Sequence, residues 1–276
     1  MWHITSLIVN MTPSITSRIR RIQALVVGFI LIGCCVATAA AADEVRVMTS
    51  GAFTAAHQAL AAEFEKATTH TVVTIYGASL GAGDTTIPRR LERGEPADIV
   101  ILAASALDDL IARGFVVAGS RVDLVRSTIG MAVRAGAPKP DISTLEALTR
   151  VLLGARAVGY SSSASGVYLS TELFPRLGVA DALKDRMRVS EGAVGPLIAS
   201  GEVEIGFQQI SELLPVAGID IVGPLPAEAQ RVTIFSAGIV RGAPSLTAAQ
   251  ELLRFYTSRA AASTISRTGL EPLGTP

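Results

Sequence analysis

The chain has 276 residues, with 24 basic and 24 acidic side chains, 49% hydrophobic residues and two cysteines. Neutral net charge excludes the strongly basic surface that a nucleic-acid binder needs. The adjacent Cys34 and Cys35 leave the rest of the chain without a disulfide framework or a thiolate metal site, and at this length a core forms without staples, as one large domain or two smaller ones.

In chain order, residues 1–42 read as an export signal. Arg18, Arg20 and Arg21 form a basic start, Ala24 to Ile32 is an apolar stretch too short to span a bilayer, and Ala40-Ala41-Ala42 is a small-residue cleavage site. Leu31-Ile32-Gly33-Cys34 offers a rival reading as a lipidation box, with a lipid anchor at Cys34. Either reading places the protein in the periplasm. Cleavage removes three of the 24 basic residues and none of the 24 acidic ones, leaving 234 residues with a net charge of −3.

From Glu44 onwards short apolar strands alternate with Ala/Leu-rich helical stretches, the pattern of an α/β fold with mostly parallel sheets. Expected strands are 44–48, 72–76, 98–102, 124–134, 156–160, 188–190, 205–208, 219–222 and 232–240. Expected helices include 55–66, 104–113, 143–152, 166–177, 194–200 and 246–256. The long runs 124–134 and 232–240 bracket a middle section, as if the chain crosses to a second lobe and returns. The expected lobes are 43–124 plus 236–276, and 125–235.

Three strand-to-helix turns are rich in hydroxyls and glycine: Thr49-Ser50-Gly51, Gly77-Ala78-Ser79-Leu80-Gly81, and Ser161 to Gly166. Such turns aim backbone N–H groups and the positive end of a helix dipole at one point, which suits a small anion. Any one of these serines also suits a plain helix cap; their recurrence points to a ligand. Gly77 to Gly81 also matches G-x-S-x-G, the context of a hydrolase nucleophile at Ser79. That chemistry needs a histidine following the serine, and His3, His57 and His70 all precede it. No metal-ligand spacing appears. The expectation is therefore a protein that is not an enzyme and carries no cofactor, with a serine hydrolase through Ser79 as a remote alternative.

Thr49-Ser50-Gly51-Ala52-Phe53, Ala78-Ser79, Gly94-Glu95-Pro96-Ala97-Asp98-Ile99, Ser165-Gly166-Val167-Tyr168 and Gly201-Glu202-Val203-Glu204-Ile205-Gly206 together resemble the periplasmic molybdate-binding proteins of ABC importers. The resemblance spans nearly the whole chain after the signal. It implies the type II two-lobe periplasmic-binding-protein fold, a small anionic ligand in the interlobe cleft, a membrane permease as partner, and a monomer. It also implies neutral donors to the ligand: the hydroxyls of Ser50 and Ser79 from one lobe, and Ser165 and the Val194 N–H from the other. One position departs from the pattern. Gln209 stands about where the family places a tyrosine, and its amide presents an acceptor as well as a donor. Molybdate or a similar oxyanion is the main expectation, and a small organic carboxylate the alternative.

Overall fold

The computed structural model describes residues 42–273; the export signal, bar its final Ala42, and the lipidation site at Cys34 lie outside them. Two sheets organise the chain. The first runs β11-β4-β10-β3-β1-β2 and the second β7-β6-β8-β5-β9. In the first, β1 (Glu44–Thr49) lies parallel between β2 (Thr71–Tyr76) and β3 (Ile99–Ala103). The strands β4 (Val122–Ser127), β10 (Thr233–Ile239) and β11 (Glu271–Pro272) extend it in antiparallel fashion. In the second, β6 (Val158–Ser161) lies parallel between β7 (Met187–Ser190) and β8 (Ile205–Gln209), and β5 (Ile129–Arg134) and β9 (Ile219–Pro224) run antiparallel. Each sheet is thus a parallel core of three strands with antiparallel additions, rather than a mainly parallel sheet throughout.

Side-chain alternation along the strands places apolar groups on both faces. On the first sheet, Val45, Val47, Ile99 and Ile101 pack with Phe53, Leu60, Phe64, Leu252 and Tyr256, while Met48, Val100 and Leu102 pack on the other face with Leu107, Leu110 and Val116. On the second, Ile129, Met131, Ile205 and Phe207 meet Leu148, Leu169 and Phe174, and Ala132 meets Val194, Ile198 and Val203. The helices supplying these groups are α1 (Thr54–Ala67), α2 (Ile87–Glu92), α3 (Ala104–Ala112), α4 (Leu145–Gly154), α5 (Ala164–Tyr168), α6 (Phe174–Arg176), α7 (Ala180–Leu183), α8 (Gly195–Ser200), α9 (Ile210–Leu213), α10 (Leu246–Tyr256) and α11 (Arg259–Arg267). A π-helical turn, Leu169–Leu173, joins α5 to α6. There Ser170 and Thr171 donate their hydroxyls to the carbonyls of Gly166 and Val167, and Pro175 has no N–H to give.

The run expected as one strand over 124–134 is two. β4 belongs to the first sheet and β5 to the second, with Thr128 between them. The chain returns to the first sheet between β9 and β10. Gln209, at the end of β8, ties the two crossings together. It accepts from Ser127 Oγ at 2.9 Å and donates to Thr233 Oγ1 at 3.4 Å. The Gln230 amide completes the junction, pairing with both the N–H and the carbonyl of Ile129 at 2.9 Å.

Candidate functional site

Within each sheet the strand order places the first βα connection on one side of a central strand and the next on the other. Ligands in such folds sit at this reversal, outside the carboxyl ends of the strands. The turns that follow β1, β6 and β8 face a common cleft of about 420 Å³. Thr49, Gly51, Thr54, Gln58, Tyr76 and Thr85 line it from the first sheet, and Ser163, Glu191, Gln208, Ser211 and Glu212 from the second. No lysine or arginine is among these lining residues. The donors are hydroxyls, amides and backbone N–H groups.

Four buried hydroxyls have no hydrogen-bond partner among the described residues: Ser50, Thr86, Ser165 and Ser211. Buried polar groups are ordinarily paired, so each of these hydroxyls has bonding capacity left for a bound group or for water. Ser211 lines the cleft, Ser50 and Thr86 are chain neighbours of lining residues, and Ser165 stands two residues after the lining Ser163. Ser50 precedes the short 3-10 turn Gly51–Phe53 that leads into α1, Thr86 precedes α2, Ser165 lies in the first turn of α5, and Ser211 lies on α9. The sequence pointed to Ser50 and Ser165. It did not single out Thr86 or Ser211, which lie outside the glycine-rich turns.

The other sequence-derived residues have partners already. Ser79 Oγ accepts from the Ala103 N–H at 2.9 Å, closing the end of β3. The Val194 N–H is donated to Gln208 Oε1 at 2.8 Å. Gln209 sits in the crossover junction rather than on the cleft wall. Gln208, its neighbour, does line the cleft.

Glu212 is the residue the sequence reading missed. It lies on α9, half-buried, with its carboxyl directly over the turn at Gly51; a methyl group built on Gly51 would fall 1.9 Å from Glu212 Oε1. Only a glycine at that position leaves the carboxyl its place. Gln208 Nε2 donates to Oε1 at 2.9 Å. None of the ion pairs among the described residues involves Glu212. Burial pushes its pKa up to about 7, against the opposing hydrogen bonds from the Gln208 side chain and the Gln209 backbone. The Gln208–Glu212 spacing across a strand-to-helix turn was the available signal, but the enclosure that shifts the carboxyl comes from the other sheet.

The histidines are committed elsewhere. His57 Nε2 meets Thr74 Oγ1 and Nδ1 meets Tyr256 OH, both at 2.7 Å, and burial lowers its pKa to about 4. His70 Nδ1 accepts from the Asp43 N–H, and Nε2 faces Glu251 at 3.3 Å. Neither pairs with Ser79, so among the described residues no histidine serves it as a base. Among the described residues no group of three or more His, Cys, Asp or Glu could hold a metal ion, and no helix is long and apolar enough to cross a membrane.

Comparison with known proteins places this geometry in a family. The chain is 45% identical over 228 residues to a protein of Pseudomonas sp named aconitate isomerase, covering 82% of this chain and 87% of that one. It is 26% identical over 215 residues to the molybdate-binding protein ModA of Escherichia coli, covering 75% of this chain and 82% of the relative. The periplasmic molybdate-binding protein of Azotobacter vinelandii shares the fold with a TM-score of 0.67 at 22% identity, over 82% of this chain and 98% of that chain. The resemblance to the molybdate-binding proteins therefore holds, and the fold is the two-lobe α/β fold of the periplasmic binding proteins.

One expectation is corrected. The chain was read as not an enzyme, yet the 45% identical relative carries an enzyme's name. Acid–base chemistry requires neither a histidine nor a metal where burial moves the pKa of a carboxyl. A profile described as "Bacterial extracellular solute-binding protein" matches residues 45–271. The chain belongs to the bacterial extracellular solute-binding protein family.

Proposed function

We propose that this protein binds a small organic polycarboxylate in the interlobe cleft and isomerises it, with aconitate as the substrate to test first. The observation that carries the reading is the cleft itself. At about 420 Å³ it falls among sites for organic ligands, roughly 300–1,000 Å³, and its lining hydroxyls, Thr49, Thr54, Thr85, Ser163 and Ser211, are spread over both sheets. A tetrahedral oxyanion needs one tight cage; several carboxylates need several separated donors. The name of the 45% identical relative supports the same substrate class and supplies the reaction.

The chemistry asks little of the protein. In an unsaturated polycarboxylate whose double bond neighbours a CH2–carboxylate, moving one proton from the CH2 to the far alkene carbon shifts the double bond. No metal or redox cofactor is required for the balance. The helix-start donors hold the carboxylates and stabilise the charge that spreads onto them as the proton leaves.

The oxyanion reading has the ModA similarity in its favour. Against it stands Glu212, whose carboxyl lies over the turn where the dianion would sit. The remaining proposals follow the family. The protein is exported to the periplasm, works as a monomer and is served by a membrane permease. The two sheets are the cores of lobes close to 43–124 plus 236–276, and 125–235, hinged at the Gln209 junction. Incubating the purified protein with trans-aconitate and following the cis isomer by proton NMR tests the reading. Catalytic appearance of the cis isomer is expected; an unchanged spectrum contradicts it.

A further inference from the structure

Isomerisation by proton transfer needs a group that takes and returns the proton, and this inference rests on the isomerase reading. The titratable groups lining the cleft are Tyr76, Glu191 and Glu212. Tyr76 is 49% exposed and bonded by Gln58 at 2.8 Å, and Glu191 is exposed on the loop after β7. Glu212 alone combines a desolvated carboxyl, a side-chain hydrogen bond that holds it and the absence of any ion pair among the described residues.

We propose that Glu212 is the catalytic acid–base of this site, carrying the proton between the two ends of the substrate's allyl unit. Gln208 sets its orientation. The amide oxygen of Gln208 is committed to the Val194 N–H at 2.8 Å, so its NH2 must face Glu212 and donate to Oε1. Oε1 is therefore the accepting oxygen, and the proton in transit rides on Oε2. Gly51 leaves room for the carboxyl over the turn that follows β1, so the base stands in the wall of the cleft between the two sheets. Ser211, next to it in the chain, lines the same cleft with a hydroxyl that has no partner and can donate to a substrate carboxylate.

The step balances within the substrate and one side chain. The carboxylate removes a proton from the CH2, so a C–H bond breaks and an O–H bond forms. The released electron pair becomes the new C=C. The pair of the former double bond then takes the proton back at the far carbon as a new C–H bond. Nothing is oxidised or reduced, no group leaves, and Glu212 ends as it began. A carboxyl with its pKa near 7 is suited to both halves of this exchange.

The test compares wild type with Glu212→Gln, which keeps the acceptor for Gln208, by NMR of aconitate in D2O and by calorimetric binding. Expected is a fall in turnover and in deuterium uptake of at least about 100-fold, with the dissociation constant for aconitate changed by less than about fivefold. Glu212→Asp, which restores a carboxyl, should recover part of the rate. An active wild type with a Glu212→Gln variant within about tenfold of it overturns the assignment alone. A wild type that leaves aconitate unchanged overturns the functional reading and the assignment with it. The pH profile of the wild type needs no folded variant: kcat/KM should fall as pH drops below about 7, and a flat acid limb overturns the role.

Discussion

The serines at the three glycine-rich turns look alike in sequence and do different work. Ser79 Oγ is the acceptor for the buried Ala103 N–H, so Ser79→Ala strands a backbone donor. The expected loss is about 1–3 kcal/mol of stability, read as a drop of roughly 2–4 °C in Tm per kcal/mol. Ser50 and Ser165 have no protein partner to lose. Alanine at either should leave the ligand-free melting point nearly unchanged and weaken aconitate binding by about 1–3 kcal/mol, which calorimetry would show. Strand-to-helix position was enough to find all three residues. It could not tell an oxygen that closes a strand end from one left without a protein partner, because the Ala103 N–H arrives from a different strand.

At the scale of elements, the sequence was most legible where burial is local. The fully apolar β3 and the short strands β1, β6 and β8 stand close to where their composition placed them. The break at Thr128 was not legible, since residues on both sides favour strand and the change of sheet depends on which partners each half finds. Gln209 shows the same limit. Polar and next to a buried strand, it needed a partner, and that partner is the crossover rather than the ligand. Gln209→Ala leaves the buried Ser127 hydroxyl without its acceptor. It should lower the stability by about 1–3 kcal/mol in a denaturant titration, and a midpoint equal to wild type would contradict the junction role. Glu212 escaped notice for a related reason: α9 is a single turn with no periodicity to read, and its environment is built by Gly51 on the other sheet.

At the scale of the whole molecule, two desolvated titrating groups pull stability in opposite directions with pH. His57 is held neutral, its pKa lowered from 6.5 to about 4. The unfolded chain binds a proton there below about 6.5, so stability is lost as pH falls from 6.5 towards 4, by about 3 kcal/mol in all. Glu212 is raised from 4.5 to about 7, so its favourable contribution is present below 4.5 and lost as pH rises through 7. Glu212→Gln should therefore be more stable than wild type at pH 8 and should keep the full acid-side loss due to His57. Urea unfolding of both proteins across pH 4.5–8 checks this; equal curves at pH 8 would mean that Glu212 carries no burial penalty. A charged group held against its solvation preference is the usual price of an acid–base site.

The same cleft decides between an organic polycarboxylate and an oxyanion, and that choice is the centre of the account. The most direct measurement is the melting temperature of the purified protein with aconitate and, separately, with molybdate. A ligand at about 100 times its Kd adds about 2.7 kcal/mol, or roughly 5–10 °C for a chain of this size. A shift with aconitate and none with molybdate is the expected result. A shift with molybdate and none with aconitate would contradict the account and return the cleft to the oxyanion binders.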